Sequence, residues 1–262
     1  MSISICSLAS GSSGNSYLVC GEQAAILVDA GISGKRIEER LWAKGYALAD
    51  INAVFVTHEH SDHVVGLRAL IKAGLPLYLT SKTAAGIDAK FTAENTHLFE
   101  AGSVFQIGDI EVSSFSVSHD AADPVGYSFT DGIDSIAIVT DTGLVTKEIA
   151  EQIQRADILA LESNHDVNML RVGRYPWFLK QRILGDTGHL SNEAAAEALA
   201  NALKAEPKKK TVLLAHLSKE NNFPEMALAT AREVLQREGI DESLLSIECL
   251  SRTEASRFYK RS

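Results

Sequence analysis

The stretch His58-Glu59-His60-Ser61-Asp62-His63 decides how the rest of the chain is read. It follows the apolar run Ala53-Val54-Phe55-Val56, which reads as a strand, and precedes an amphipathic helical pattern beginning near His63. On a loop, His58 and His60 turn toward one point while Asp62 and His63 turn toward a second. Imidazole and carboxylate are the ligands that borderline divalent cations such as Zn²⁺ prefer. The helical H-E-x-x-H motif of zinc proteases is excluded, because Asp62 stands where that motif needs histidine and because this segment is a loop. The hexapeptide is therefore read as a metal site.

Outward from it, apolar runs and turn residues alternate along the chain. Strands are expected over 2–9, 16–20, 24–28, 53–56, 75–79, 96–99, 103–107, 110–118, 126–130, 135–139, 158–161, 211–215 and 245–249. Helices are expected over 35–44, 64–73, 81–90 (capped by Ser81), 146–155, 178–183, 193–203 and 224–238. The turn Ser10-Gly11-Ser12-Ser13-Gly14-Asn15 lacks the Gly-Lys-Ser/Thr ending of a P-loop, so it is a hairpin turn or one that also borders a substrate cleft. Residues 162–190 show no core periodicity and read as a crossing segment. With no composition break and no tandem repeat, a single domain over 1–262 is expected.

A chain of 262 residues is long enough to bury a sizeable core, and 45% hydrophobic with 23% charged residues is ordinary for a soluble globular protein. The formal net charge of −9 argues against a broad basic surface for nucleic acid, although bound cations would offset several of those acids. Cys6, Cys20 and Cys249 form no C-x-x-C pair, which fits a reducing compartment rather than a disulfide frame. No basic leader and no long apolar stretch occurs, so a soluble, cytoplasmic protein with no membrane partner is expected.

His119, Asp141 and His216 also lie at the ends of apolar runs. With the hexapeptide they make seven ligand candidates: His58, His60, Asp62, His63, His119, Asp141 and His216. These divide into two sites if Asp141 bridges. His58, His60 and His119 then hold one metal, and Asp62, His63 and His216 the other, with open positions of the kind that mark catalytic sites. Asp29 ends the run 24–28. An acid there either caps helix 35–44 or orients a metal-bound imidazole from behind, and the hexapeptide favours the second role. His97 lies within a strand-like run without a companion motif and is read as structural.

The pattern Asp29, His58-x-His60-x-Asp62-His63, His119, Asp141 and His216 resembles the five motifs of the metallo-β-lactamase superfamily, in order and over almost the full length. The resemblance implies an α/β fold, an αββα four-layer sandwich with a dinuclear metal site at one edge of two packed sheets. It also implies that Asp29 supports the site and that the other seven residues are ligands in the split above. The stretches Ser7-Leu8-Ala9-Ser10-Gly11-Ser12-Ser13-Gly14-Asn15, Ser118-His119-Asp120-Ala121, Glu162-Ser163-Asn164-His165-Asp166, Gly188-His189-Leu190-Ser191-Asn192 and His216-Leu217-Ser218-x-Glu220-Asn221-Asn222 resemble the YycJ/WalJ branch. That resemblance implies a metal-dependent phosphodiesterase with 5′-to-3′ exonuclease activity on double-stranded DNA, connected to repair. The length leaves no room for the inserted second domain of the larger nucleases in the superfamily.

The expected cofactors are two divalent ions, Zn²⁺, Mn²⁺ or Fe²⁺, since the ligand set suits all three. Sharing Asp141, they would bring a bridging water toward hydroxide at neutral pH, with Asp62 orienting it as a catalytic residue. A leaving alkoxide still needs a proton, and His189 is the candidate donor. Its stretch resembles the His-Ser-Thr segment of tRNA 3′-processing enzymes, with Leu190 inserted here before the serine. Against that, Ser191 or Asn192 caps the next helix and His189 is incidental. His165 is a further catalytic candidate, joining the site through Glu162 or standing as an ordinary loop histidine. Asn15, Ser191 and Asn192 are substrate-binding candidates, the latter two at a helix start that favours phosphate. Arg171, Arg174, Lys180 and Arg182 form a candidate basic strip for a DNA or other phosphodiester partner. The alternatives are a thioester or lactone hydrolase of the glyoxalase II type, a small cyclic-phosphodiester hydrolase, or a diiron redox protein. The last is disfavoured, because His60 fills a slot that is acidic in that branch.

Overall fold

Most strand residues here are buried on both faces, and successive side chains go to different layers, as the period-two geometry of a strand requires. In the computed structural model, which describes residues 2–87 and 95–261, two sheets of seven strands pack face to face. The first holds β1 (Ser4–Ala9), β2 (Ser16–Cys20), β3 (Ala25–Val28), β4 (Ala53–Phe55), β5 (Leu77–Thr80) and β6 (Thr96–Phe99). The second holds β7 (Val104–Ile107), β8 (Ile110–Ser116), β9 (Val125–Thr130), β10 (Ser135–Val139), β11 (Ile158–Glu162), β12 (Lys210–Ala215) and β13 (Leu245–Cys249). A short β14 (Tyr259–Lys260) returns to pair with β1, completing the first sheet. It lies in a stretch the sequence reading left without a strand.

The two sheets repeat one plan. Antiparallel strands lead into a parallel set, β3 to β6 in the first sheet and β10 to β13 in the second. Parallel strands need crossovers, and the helices supply them. Ile26 and Val28 face the inter-sheet core with Phe55, Tyr127 and Ile138, whereas Leu27 faces outward. Outside the first sheet, α1 (Gly34–Ala43) covers that outer face together with α2 (Ser61–Val64) and α3 (Leu67–Lys72). A further short helix, α4 (Ser81–Gly86), follows β5. Outside the second sheet, α5 (Lys147–Arg155) packs with α8 (Asn192–Ala205) and α9 (Pro224–Arg237). Between them run α6 (Val167–Val172) and α7 (Trp177–Leu184). This is the expected αββα sandwich. No helix among the described residues is long and apolar enough to cross a membrane.

Three local expectations are corrected. The helix expected over 64–73 is broken at Gly66, whose amide donates to Ala30 O at 2.7 Å. A Cβ there would stand 2.2 Å from Ile32 O, so this approach of the two backbones requires glycine. Helix 81–90 is capped by Thr80, not Ser81; Thr80 Oγ1 accepts from Thr83 N–H. The expected last residues of that helix, 88–90, lie outside the described residues. Within the crossing segment, α6 was not anticipated, because it buries only Leu170 and leaves no periodic apolar signal.

Candidate metal centre

The loops after β3, β4, β10 and β12 meet at one edge of the sandwich. Asp29, Asp141 and His216 each adopt a left-handed backbone there, with φ of 61°, 57° and 55°. They are the non-glycine residues with positive φ among those described, and all three belong to the site. Such conformations cost on the order of 1 kcal/mol each and persist where surrounding contacts impose them, most often at functional sites. Gly31 lets the hexapeptide loop close on the Gly/Ser turn: Asn15 N–H donates to Asp62 O at 2.8 Å, and a Cβ on Gly31 would stand 1.7 Å from that oxygen.

The seven candidate ligands come together. His58, His60 and His119 form one group of mutually close donor atoms and Asp62, His63 and His216 another, while His58, His63 and Asp141 form a third and Asp141, Glu162, His189 and His216 a fourth. Asp141 lies between, with Oδ2 3.3 Å from His63 Nε2, Oδ1 3.4 Å from His216 Nε2 and Oδ1 3.9 Å from His119 Nε2. His60 Nδ1 stands 3.2 Å from His119 Nε2, and Asp62 Oδ2 3.4 Å from His216 Nε2. Two atoms bound about 2.0–2.1 Å from a tetrahedral Zn²⁺ are about 3.3 Å apart, so these spacings suit ligands of a shared cation. His58 Nε2 and Asp141 Oδ2 are buried without a hydrogen-bond partner among the described residues, as donor atoms reserved for a cation would be. The residues present fit divalent metal ions.

The ring nitrogens opposite the donors are held from behind. His63 Nδ1 lies 2.7 Å from Asp29 Oδ2, His58 Nδ1 3.0 Å from Thr57 Oγ1, His119 Nδ1 3.1 Å from Gly188 O, and His216 Nδ1 2.9 Å from Glu162 Oε1. Partners of this kind fix tautomer and ring orientation in metal sites. Asp29 thus sits behind His63 and also accepts from Thr57 N–H at 2.8 Å; Ser33, not Asp29, caps α1. Burial holds the His58 and His119 imidazoles below their ordinary range. Burial acts the same way on His63 and His216, but Asp141 and the other acids outweigh it, raising His63 well above its range and His216 to about 10. Cations on these nitrogens would take the place of those protons.

A cleft of about 220 Å³ opens onto this cluster, lined on one side by His60, Asp62, His119, Asp141, His189 and His216. His189 is 20% exposed, and its Nδ1 lies 2.8 Å from Glu162 Oε1. Burial would lower its pKa, but the Glu162 carboxylate reverses the sign and raises it. Glu162 is the residue the sequence reading undervalued. Fully buried, it meets both His189 and His216, and its Oε2 accepts from the amides of Thr142 and Leu190. Burial pushes its carboxyl up, yet the two imidazoles bring it down to about 2. An acid closing an apolar strand, the signal that singled out Asp29, was present at Glu162 too.

Four candidates are not at the cleft. His165 makes no hydrogen bond to Glu162; its Nδ1 lies 3.3 Å from Asn164 Oδ1, and burial, against the opposing Glu162 charge, lowers its pKa to about 4. Asn15 is buried rather than turned to a substrate; its amide stands 3.1 Å from His63 Nε2, and the cleft reaches Ser12 of that turn instead. Ser191 caps α8, accepting from Ala194 N–H at 3.1 Å. Asn192 is buried against Ser163 and Asn222. Of the basic strip, Arg182 lines the cleft and pairs with Asp120, while Lys180 donates to the carbonyls of Arg171 and Gly173. His97 stacks on Tyr78 within the first sheet, at 4.4 Å between ring centroids.

Known proteins resemble this chain in sequence and in fold. Residues 24–216 match the family described as Beta-lactamase superfamily domain. The exodeoxyribonuclease YycJ of Bacillus anthracis is 44% identical over 236 residues, covering 88% of this chain and 89% of that protein. The exodeoxyribonuclease WalJ of Streptococcus pneumoniae is 45% identical over 229 residues, 85% of this chain and 84% of its own. The metallo-β-lactamase fold protein YhfI from Bacillus subtilis superposes with a TM-score of 0.70 at 17% identity over 97% of this chain and 99% of its own, a likeness of fold. The chain belongs to the metallo-β-lactamase superfamily, in the branch of the YycJ and WalJ exodeoxyribonucleases.

Proposed function

We propose that this protein is a dinuclear-metal-dependent phosphodiester hydrolase acting as a 5′-to-3′ exonuclease on double-stranded DNA. The observation that carries it is the cluster of seven ligand-type side chains, five of them lining an open cleft whose wall also holds a histidine with a raised pKa. The names of the YycJ and WalJ relatives support DNA as the substrate. His58, His60 and His119 would hold one divalent ion and Asp62, His63 and His216 the other, with Asp141 shared. Ions in those positions supply Lewis acidity toward a phosphoryl oxygen and lower the pKa of water.

The chain's own residues supply the rest. Glu162 fixes Nδ1 of His189 and favours its protonated form, which leaves Nε2–H as the proton for the departing oxygen. Asp62, which lines the cleft and meets His63 and His216, accepts a hydrogen bond from attacking water and so orients it. Hydrolysis of a small phosphodiester and of a thioester by Mn²⁺-loaded protein tests the reaction class. Turnover of the phosphodiester alone is expected; turnover of the thioester alone would move the site to acyl chemistry.

A further inference from the structure

Residues 167–185 carry Arg171, Arg174, Lys180 and Arg182 and no acid, in a chain of formal charge −9. The same segment leaves large apolar side chains in solvent: Val172 is 87% exposed, Trp177 69% and Phe178 73%. Helix α7 joins these features to the cleft. Leu179, Arg182 and Ile183 line it, while Trp177 and Phe178 open the same helix outside it. Phe178 lies one turn from Arg182, on the same side of the helix. Arg182 is tied to Asp120, whose Oδ1 lies 3.5 Å from His119 Nε2, so the aromatic pair rides on an element anchored at the candidate metal centre.

The cleft, about 220 Å³, is smaller than the roughly 300–1,000 Å³ of pockets that enclose a drug-sized ligand. Nucleotides flanking a bound phosphodiester therefore run outside it, over its rim. Cations among exposed rings, in a segment that itself carries no acid, are what surfaces for unpaired strands present: the cations follow phosphates and the rings stack on bases. Bases within a duplex are already stacked on their neighbours, so only an unpaired stretch has base faces to offer.

We propose that α7, the turn before it and the end of α6 bind an unpaired nucleic-acid strand, with Trp177 and Phe178 stacking on bases beside the nucleotide in the cleft and Arg171 and Arg174 meeting its phosphates. The inference rests on the phosphodiesterase reading and deepens it: the strand enters from a frayed or single-stranded end.

Trp42 and Trp177 are the two tryptophans, so a Trp42→Phe protein reports Trp177 fluorescence alone. It is titrated with a phosphorothioate-linked oligodeoxynucleotide and with an abasic strand of equal length and charge. Quenching by the base-containing strand, and affinity about tenfold above the abasic one, are expected. In that background, changing Phe178 to Ala removes part of that difference. In the wild-type background, Trp177→Ala with Phe178→Ala brings the two strands to the same affinity, read by anisotropy of labelled strands, and Trp177→Tyr restores most of the gap. Equal affinity of the parent protein for both strands overturns the proposal. So does a change of sedimentation mass in the double variant, which would make the pair a contact between copies of this chain. Small-phosphodiester hydrolysis by the Trp42→Phe protein separates the two readings: hydrolysis without base-dependent binding overturns only this surface, and base-dependent binding without hydrolysis supports the surface and overturns the activity.

Discussion

Glu162 holds two imidazoles at once, one in a candidate ligand and one in a candidate acid, and its pKa follows from both. In the proposed mechanism His189 is the proton donor and belongs to neither ligand group of the split, although its donor atom lies close to those of Asp141, Glu162 and His216. His189→Ala is therefore expected to lower kcat by about 10²- to 10⁴-fold while metal content by elemental analysis stays at the wild-type level; a parallel loss of metal would make it a ligand instead. His165 has a different consequence. Its folded-state pKa of about 4 lies below the ordinary value near 6.5, so the unfolded chain binds more protons between these limits. The stability it contributes is complete above about pH 6.5 and is lost as pH falls toward 4, up to about 3 kcal/mol. Urea unfolding across that window is expected to show a shallower pH slope for His165→Gln; an unchanged slope would contradict the assignment. At this scale four of the seven candidate ligands were legible because the hexapeptide packs them into one short loop, and His119, Asp141 and His216 because each closes another apolar run. The roles of Glu162 were not, because its partners stand 27 and 54 residues away.

Elements show where local rules suffice and where tertiary contact overrides them. Ser33, Thr146, Asp166 and Ser191 cap their helices by the ordinary bond to a backbone amide in the first turn. The break at Gly66 escapes any periodicity argument, since it comes from the backbone of residues 30–32 pressing on the helix. Helices α6 and α7 were faint for another reason: they expose apolar side chains rather than burying a stripe of them. Ser191 belongs to this scale, because its hydroxyl serves α8 and not the cleft. Ser191→Ala is expected to lower unfolding free energy by about 1 kcal/mol and leave DNA affinity at the wild-type level. A selective loss of DNA affinity at unchanged stability would return Ser191 to the substrate.

At the scale of the molecule, two sheets with the same plan deliver their loops to one edge, and the acids and histidines that close the strands meet there. Individual strands were legible as apolar runs ending in polar ligand-type residues, whereas the sandwich itself came from the resemblance of those residues to the superfamily's motifs. The charge of −9 pointed away from DNA at this scale, yet the acids Asp62 and Asp141 sit inside the candidate metal centre, while the acid-free segment 167–185 borders the cleft. Net charge therefore says little about the surface a substrate meets. The central claim is tested most directly by incubating Mn²⁺-loaded protein with a linear duplex labelled at its 5′-phosphate, with Asp141→Asn as the blank. Stepwise release of labelled mononucleotide, absent in the blank, is predicted. An intact duplex under conditions where a small phosphodiester is hydrolysed would contradict the exonuclease assignment.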